Sequence, residues 1–531
     1  MEKQLDKSHS VAHRYGQLES NRHTFLERAR RAAELTIPTL VPKQGHSAST
    51  VYPQPFQSVG ARGVNNLASK LMLALFPPNS PFFRLTVSES DLGGIDKSQH
   101  GKVDAALARI ERNIMSDLES QAARVPIFEA LKQLIVAGNV LLYSPLDASG
   151  MRVFRLDRYV VKRDVMGNPL ELIIKEDVSP LMLPEVVRAL LTDPLDKGDK
   201  SYALYTYVKR TAKKWETYQE IEGIKVPDSE GEYPLDKCPY QALRLTRIDG
   251  EDYGRGFVEE YIGDLSSLEG LQQAIVEGSA AAAKVLFLVR PNGTTKIRTI
   301  ANSPNGAIVQ GDKNDVSVLQ LEKYNDFRVA QDTASTITDR LSFAFMLNSA
   351  VQRNADRVTA EEVRFMAQEL ETSLGGVYSI LSQELQLPLI KILLFRMEKQ
   401  KRLPVFPKDV VKPQIVTGME ALGRGQDLNK LAQFLKFLEP LGPQVIAQEL
   451  NINDYIDRLG ASLGLETNGL VKTPEQKQAE LQAAQQAQQA QMMQESMKNI
   501  AESAAPQVIG KGMENIDPTA VTQMISQMQG G

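Results

Sequence analysis

A single cysteine, Cys238, stands in 531 residues. No intrachain disulfide can form, and one chain supplies no thiolate cluster for a metal. A reducing site of folding is expected. Histidine is nearly as scarce: the five are His9, His13, His23, His46 and His100, and none follows residue 100. Histidine is the usual proton carrier and the commonest metal ligand. Any His-dependent triad or zinc site must therefore draw on the first hundred residues. His9 and His13 are spaced to share one helix face, but no third ligand follows at a useful spacing. The one tryptophan, Trp215, lies in the alternating run WETYQEIE and is assigned to a core. Aromatics make up 6% of the chain and are not interleaved with basic residues, as a single-strand binder would require. Long apolar runs are missing too. The richest near the start, Leu71 to Phe76, is closed by Pro77-Pro78, far short of the ~20 residues of a membrane span. The opening MEKQLDKSHS has no apolar signal core, so a soluble chain is expected. Net charge is −4, which gives no global basic footprint.

Catalytic signatures are absent as well. There is no G-x-x-x-x-G-K-[ST] and no G-x-S-x-G. Gly254-Arg255-Gly256 and Gly423-Arg424-Gly425 read as tight turns. Asp249, Glu251 and Asp252 are of the type that binds Mg²⁺, but they read better as a solvated acidic loop. Glu259-Glu260 and Glu361-Glu362 sit at helix starts, where carboxylates suit the helix dipole. The expectation is a non-enzyme without a cofactor or metal.

What is present is a chain with 42% hydrophobic and 24% charged residues, ordinary for a globular protein. Residues 10 to 36 look helical, and ARGVNNLASKLMLALFPP (Ala61 to Pro78) reads as an amphipathic helix stopped by its prolines. The strand FFRLTVSES (Phe82 to Ser90) follows. In residues 102 to 143, Val103, Leu107, Ile110, Ile114 and Leu118 form one apolar stripe. A second helix begins near Pro126 and ends around Gly138-Asn139. From Val140 to Val226 short alternating runs predict antiparallel strands. Glu259 to Lys284 predicts a long helix whose GSAAAA run (Gly278 to Ala283) permits close packing, either in an ordinary core or against another copy. Residues 285 to 325 switch to short β-like pieces with Pro, Gly and Asn turns, and helix resumes from Phe327 to Leu347. The placement predicts a protruding subdomain at the tip of a helical hairpin. Thr359 with Glu362 forms a capping box for a helix over 359 to 400, which Pro388 should kink or end. Gln476 to Gln494 holds nine glutamines and predicts a further helix to about Ser503. The fold class is α+β, mainly helical, with small antiparallel sheets.

Five segments together carry a resemblance. They are Ala61 to Pro77, FEALKQLIVAGNVLLY (Phe128 to Tyr143), RLSFAFMLNSAVQR (Arg340 to Arg353), Val358 to Leu389, and EALGRGQDL (Glu420 to Leu428). They closely resemble the portal, or head-to-tail connector, proteins of autographivirus-type podoviruses, from about Tyr15 to Gln476. The resemblance implies a portal fold with long stem and wing helices and a C-terminal helical crown. Its parts would be an N-terminal wing at 1–258, stem helices at 259–285 and 325–346 around a clip at 286–324, and a channel loop at 347–358. A further wing segment at 359–420, a crown at 421–503 and a tail at 504–531 complete the chain. It implies a dodecameric ring at the capsid's portal vertex, made in the host bacterial cytoplasm. Through it double-stranded DNA is packaged and ejected. The terminase large subunit, then tail adaptor and tail proteins, would dock on it, beside major capsid, scaffolding and internal core proteins, with no membrane. Another ring-forming head–tail adaptor is the alternative, though a smaller chain would suit that role. A hydrolase would need a converging polar pocket, and a peripheral membrane protein a basic amphipathic helix. Within the resemblance, Arg353 and Arg357 with Asn348 and Gln352 fall in the channel loop. Lys284, Lys296 and Arg298 fall near the lower opening; for these cations an ion pair between subunits is the competing role. Gly278, Ala280, Ala281 and Ala282 fall on the stem packing face.

Overall fold

The computed structural model describes residues 10–47, 49–77, 81–87, 100–147, 149–191, 201–282, 286–319, 324–347, 369–370, 372–374, 376–403, 411–415, 423–442, 450, 452, 455–456, 459–460 and 474–504. By internal contacts the chain divides into Met1–Leu463 and Gly464–Gly531.

Four helices build the start of the first unit: α1 (Val11–Glu34), α2 (Val59–Leu75), α3 (His100–Ser120) and α4 (Arg124–Ala137). Ser10 caps α1, its hydroxyl accepting the His13 N–H at 3.2 Å. Helix α4 ends where Gly138 turns left-handed at φ 70° and returns its N–H to the Leu134 carbonyl. A side chain there would collide with the backbone: an added Cβ would lie 2.3 Å from the Arg255 carbonyl carbon. Gly256 is pressed against the Val136 carbonyl in the same way. The Gly254-Arg255-Gly256 run is thus a seam where two backbones touch.

Two small antiparallel sheets frame this helical body. β1 (Phe83–Val87) pairs across the chain with β13 (Val411–Ile415), Phe83 opposite Ile415. β2 (Asn139–Tyr143) lies between β3 (Arg152–Phe154) and β10 (Tyr240–Arg244). A larger sheet orders β4 (Tyr159–Arg163), β5 (Pro169–Val178), β6 (Tyr202–Arg210), β7 (Lys214–Ile221) and β8 (Ile224–Lys225), with β9 (Gly231–Pro234) also on β7. The short helix α5 (Glu185–Leu190) lies between β5 and β6 in the chain. Side chains alternate along a strand, and β5 uses both faces. Leu172 and Ile174 join the main core, whereas Ile173 packs with Val160 against Val11, Tyr15 and Leu18 of α1. Trp215 is buried in the main core, its indole N–H donating to the Leu235 carbonyl at 3.1 Å.

The hairpin that leaves this body is made of α6 (Phe257–Glu260), α7 (Ile262–Ala282) and, after an excursion, α9 (Tyr324–Ala344). The excursion holds β11 (Leu286–Val289), a short helix α8 (Ile297–Ala301) and β12 (Val316–Leu319). Beyond it, α10 (Gly376–Leu381) and α11 (Leu387–Lys399) are joined by a π-helical turn, Ser382–Gln386. Of the two outcomes expected at Pro388, the helix does not end there; it continues, with the irregular π-helical turn just ahead of the proline. The Leu387 N–H reaches back five residues to the Ser382 carbonyl, and the widened turn accommodates the proline that follows. Gln386, fully buried, fixes the turn by donating to the Leu75 carbonyl.

Beneath α11 lies a buried ion cluster. Asp117 of α3 accepts from Arg396 and, at 2.6 Å, from Arg402, while Gln121 takes a second Arg396 N–H at 2.9 Å. Burial alone would raise the Asp117 pKa, but the two guanidiniums outweigh it and hold it below the usual carboxylate range. The first unit continues to α12 (Gly423–Leu438). The second unit is described as one long helix, α13 (Pro474–Ala504), whose described side chains are almost all exposed.

Candidate functional site

The hairpin and its tip carry those of the residues singled out from the sequence that the structure describes. Helices α7 and α9 run together because their base is apolar: Leu265 and Leu268 meet the core that also buries Ala334, Ile337 and Leu341. Arg340 adds an ion pair across the hairpin to Asp264 at 3.0 Å. Higher up, the helices touch through Gly278, where an added Cβ would stand 2.4 Å from the Phe327 ring. Gly278 therefore serves packing within the hairpin. Ala280 and Ala281 are exposed and Ala282 half-buried. On other faces Val276, Val329 and Phe343 are exposed and apolar.

The tip is a compact unit. β11 and β12 pair antiparallel, Leu286 opposite Leu319 and Val289 opposite Val316. Asp315 sits at its centre, buried, and accepts from the Thr295 N–H at 3.0 Å and from the hydroxyls of Thr295 and Thr294 at 3.1 Å. Burial acts to raise its pKa, but these donors outweigh burial and lower it. The Asp312 N–H donates to the Thr295 hydroxyl at 2.9 Å, closing the network. Gly293 is needed beside it, since an added Cβ would lie 2.5 Å from the Asp315 carboxyl carbon.

Lys296 occupies the N-cap position of α8 without a side-chain capping bond, and Arg298 lies within the helix; both are exposed, and neither forms an ion pair with a described residue. Lys296 also lines an open cavity of about 680 Å³ with Thr294, Gln310, Asp312 and Lys313. Lys284, Asn348, Gln352, Arg353 and Arg357 lie outside the described residues. Helix α9 leads toward the last four and closes in a turn with Met346 at φ 54°.

The acidic loop resolves into structural pairs. Glu251 takes two N–H groups of Arg255, at 2.7 and 3.2 Å, and Asp252 pairs with Lys162 at 3.0 Å. Among the described residues no group of three His, Cys, Asp or Glu is placed to hold a metal ion. Burial pushes the Cys238 thiol up to about 12, which disfavours its thiolate form.

The comparisons decide what this hairpin belongs to. A family model described as "Bacteriophage head to tail connecting protein" matches residues 8–471. The chain belongs to that family. It is 46% identical to the portal protein of Escherichia phage T7 over 485 residues, covering 90% of each chain. It is 46% identical to the portal protein of Enterobacteria phage T3, covering 88% of each. It is also 33% identical to that of Enterobacteria phage SP6, covering 93% of this chain and 95% of the other. This connector is thus a portal subunit with a mainly helical α+β fold, from a family of structural proteins that are virion components. No described helix of the connector is long and apolar enough to cross a membrane.

Sequence reasoning missed the Asp315 network. Its signal was the turn-forming pair of Asp312 and Asn314, where the Asp312 carboxylate accepts the Asn314 N–H at 2.9 Å. It also missed two buried arginines, Arg163 and Arg244, whose hydrogen bonds go to carbonyl groups.

Proposed function

We propose that the subunit closes head-to-tail into a dodecameric ring at the portal vertex and that double-stranded DNA passes through its centre during packaging and ejection. The observation that carries this is the α7/α9 hairpin, with outward apolar residues left uncovered by its own chain and a rigid, cation-bearing tip. Exposed apolar side chains on both helices of the hairpin suit a partner surface. A rotationally symmetric ring supplies one without leaving free ends. On this reading the hairpin is the stem, 286–324 the clip that meets the terminase large subunit and later the tail adaptor, and 347–358 the loop facing DNA. The wing meets major capsid and scaffolding proteins and initiates head assembly, and the C-terminal helices face the internal core proteins.

The charge fits passage. Every channel side chain is repeated once per subunit, so each lysine becomes a ring of positive charge. A strongly basic chain would hold the phosphate backbone too tightly to let it slide. A near-neutral chain with a few basic positions, Arg353 and Arg357 beside Asn348 and Gln352 and Lys284, Lys296 and Arg298 below, lets DNA move. The subunit hydrolyses nothing; ATP is consumed by the separate motor.

The test is complementation of an infection in which this chain's gene is disrupted. The natural chain supplied in trans restores DNA-filled heads, and filled heads without it contradict the reading. Arg353→Ala with Arg357→Ala restores assembly but alters DNA retention. Unchanged retention removes these two arginines from the channel wall.

A further inference from the structure

Helix α2 is bonded, point by point along its length, to both helices of the hairpin and to the chain beyond them. Just ahead of its first turn, the N–H groups of Phe56 and Gln57 donate to the Glu269 carboxylate of α7, at 2.9 and 3.2 Å. Gly63 meets the chain that leaves α9, where an added Cβ would lie 2.5 Å from the Phe345 ring. Nearly one turn on, the Asn66 side-chain amide donates to the carbonyls of Phe345 and Met346, both at 3.0 Å. One further turn on, the Lys70 ammonium pairs with the Glu369 carboxylate at 3.1 Å. At the end of α2, the Leu75 carbonyl accepts from Gln386 of the π-helical turn.

Residues 63, 66 and 70 are spaced three and four apart, so they share one face of the helix. Asn66 and Lys70 stand about 6 Å apart along its axis. Between the two attachments they make, at Met346 and at Glu369, lies the segment 348–368, outside the described residues. Both attachments are firm. Phe345 is fully buried, its ring 5.6 Å from that of Phe257 and 5.9 Å from that of Tyr261. Leu370, next to Glu369, is fully buried in the main core. The Lys70 side chain is only 5% exposed, against 28% for Glu369. An ammonium taken so far out of water needs an anionic partner, and this one comes from the far side of the 348–368 segment.

We propose that Asn66 and Lys70 are positioning residues for the channel. By holding both ends of 348–368 on one face of α2, they set where Arg353 and Arg357 stand against passing DNA. Neither needs to touch the DNA itself. Closing a segment at both ends removes conformational freedom that a single attachment leaves, so releasing either end blurs the placement of the arginines. The proposal rests on the reading of 347–358 as the loop facing DNA, and adds what holds its ends.

The experiment uses rings of the full chain and the heads they form. Lys70→Met keeps the length of the buried stem and leaves Glu369 where water reaches it. Asn66→Ala frees the other end. Lys70→Glu with Glu369→Lys restores the pair in reverse. Ring mass is measured first, then amide exchange, then retention of packaged DNA, with and without Arg353→Ala and Arg357→Ala. In rings of full mass, exchange rises about tenfold at 369–370 in Lys70→Met and at 345–347 in Asn66→Ala, the factor expected from one lost charged or paired hydrogen bond. Each variant alters DNA retention as the double arginine variant does and adds nothing when combined with it. The reversed pair returns retention to that of the natural chain. Normal retention in Lys70→Met and Asn66→Ala, where the arginine variant alters it, overturns the positioning role and leaves the channel reading standing. An effect of Lys70→Met that persists in full without the arginines overturns it too. Unchanged retention in the arginine variant removes the channel reading and the proposal with it. If Lys70→Met forms no rings, the reversed pair decides: full-mass rings with natural retention support the proposal, and full-mass rings with altered retention overturn it.

Discussion

Asp117 shows how little slack the body has at the level of single residues. Its carboxylate faces two guanidiniums, and Arg396 is buried with its Nε already unsatisfied. Removing the carboxylate leaves a buried cation with only the Gln121 carbonyl oxygen. Breaking such a pair from one side costs about 3–5 kcal/mol, and the low end applies here because Arg402 faces solvent. Asp117→Ala is therefore expected to lower unfolding stability by about 3 kcal/mol, read by denaturant titration at fixed protein concentration. A change below about 0.5 kcal/mol, the scale of an ordinary surface substitution, would contradict it. None of this was legible in the sequence. Asp117 and Arg396 lie far apart along the chain, and apolar spacing within each helix says nothing of a polar partner on the other. Gly278 was legible as a small residue at a close approach, while its partner, Phe327 of the same hairpin, was not.

At the scale of elements, the tip of the helical hairpin is an antiparallel strand pair beside a network tied by one carboxylate. Asp315 has a lowered pKa because Thr295 and Thr294 donate to its ionised form strongly enough to overcome its burial. A depressed folded-state value contributes stability that is complete above the ordinary carboxylate pKa, about 3.9, and is lost as pH falls through the folded value. Amide exchange in β11, β12 and residues 293–295, corrected for the intrinsic rate, is expected to lose protection as pH falls from about 5 to 2. Asp315→Ala is expected to show that loss already at neutral pH; protection unchanged by acid and by the substitution would contradict the account. Element type was largely legible. Apolar spacing gave the long helices, and turn residues between two helical stretches gave the excursion. Pairing was not. The β1–β13 ladder joins Phe83 to Ile415 across most of the chain, and local periodicity carries no information about a distant partner. The continuation through Pro388 was hidden for a related reason, since it depends on a buried glutamine gripping another helix.

For the whole molecule, the decisive contacts are those one copy cannot make with itself. The hairpin leaves Val276, Val329 and Phe343 uncovered. The sequence resemblance pointed to a connector, and the family and its relatives bear that out. On the proposed reading, Arg353 and Arg357 act only when subunits are repeated around an axis. Ring closure is thus the central claim, and the mass of the purified chain in solution tests it most directly. The account predicts a closed assembly whose mass is that of a dodecamer of 58.8 kDa subunits, unchanged on dilution. A particle of 58.8 kDa at every concentration would contradict it.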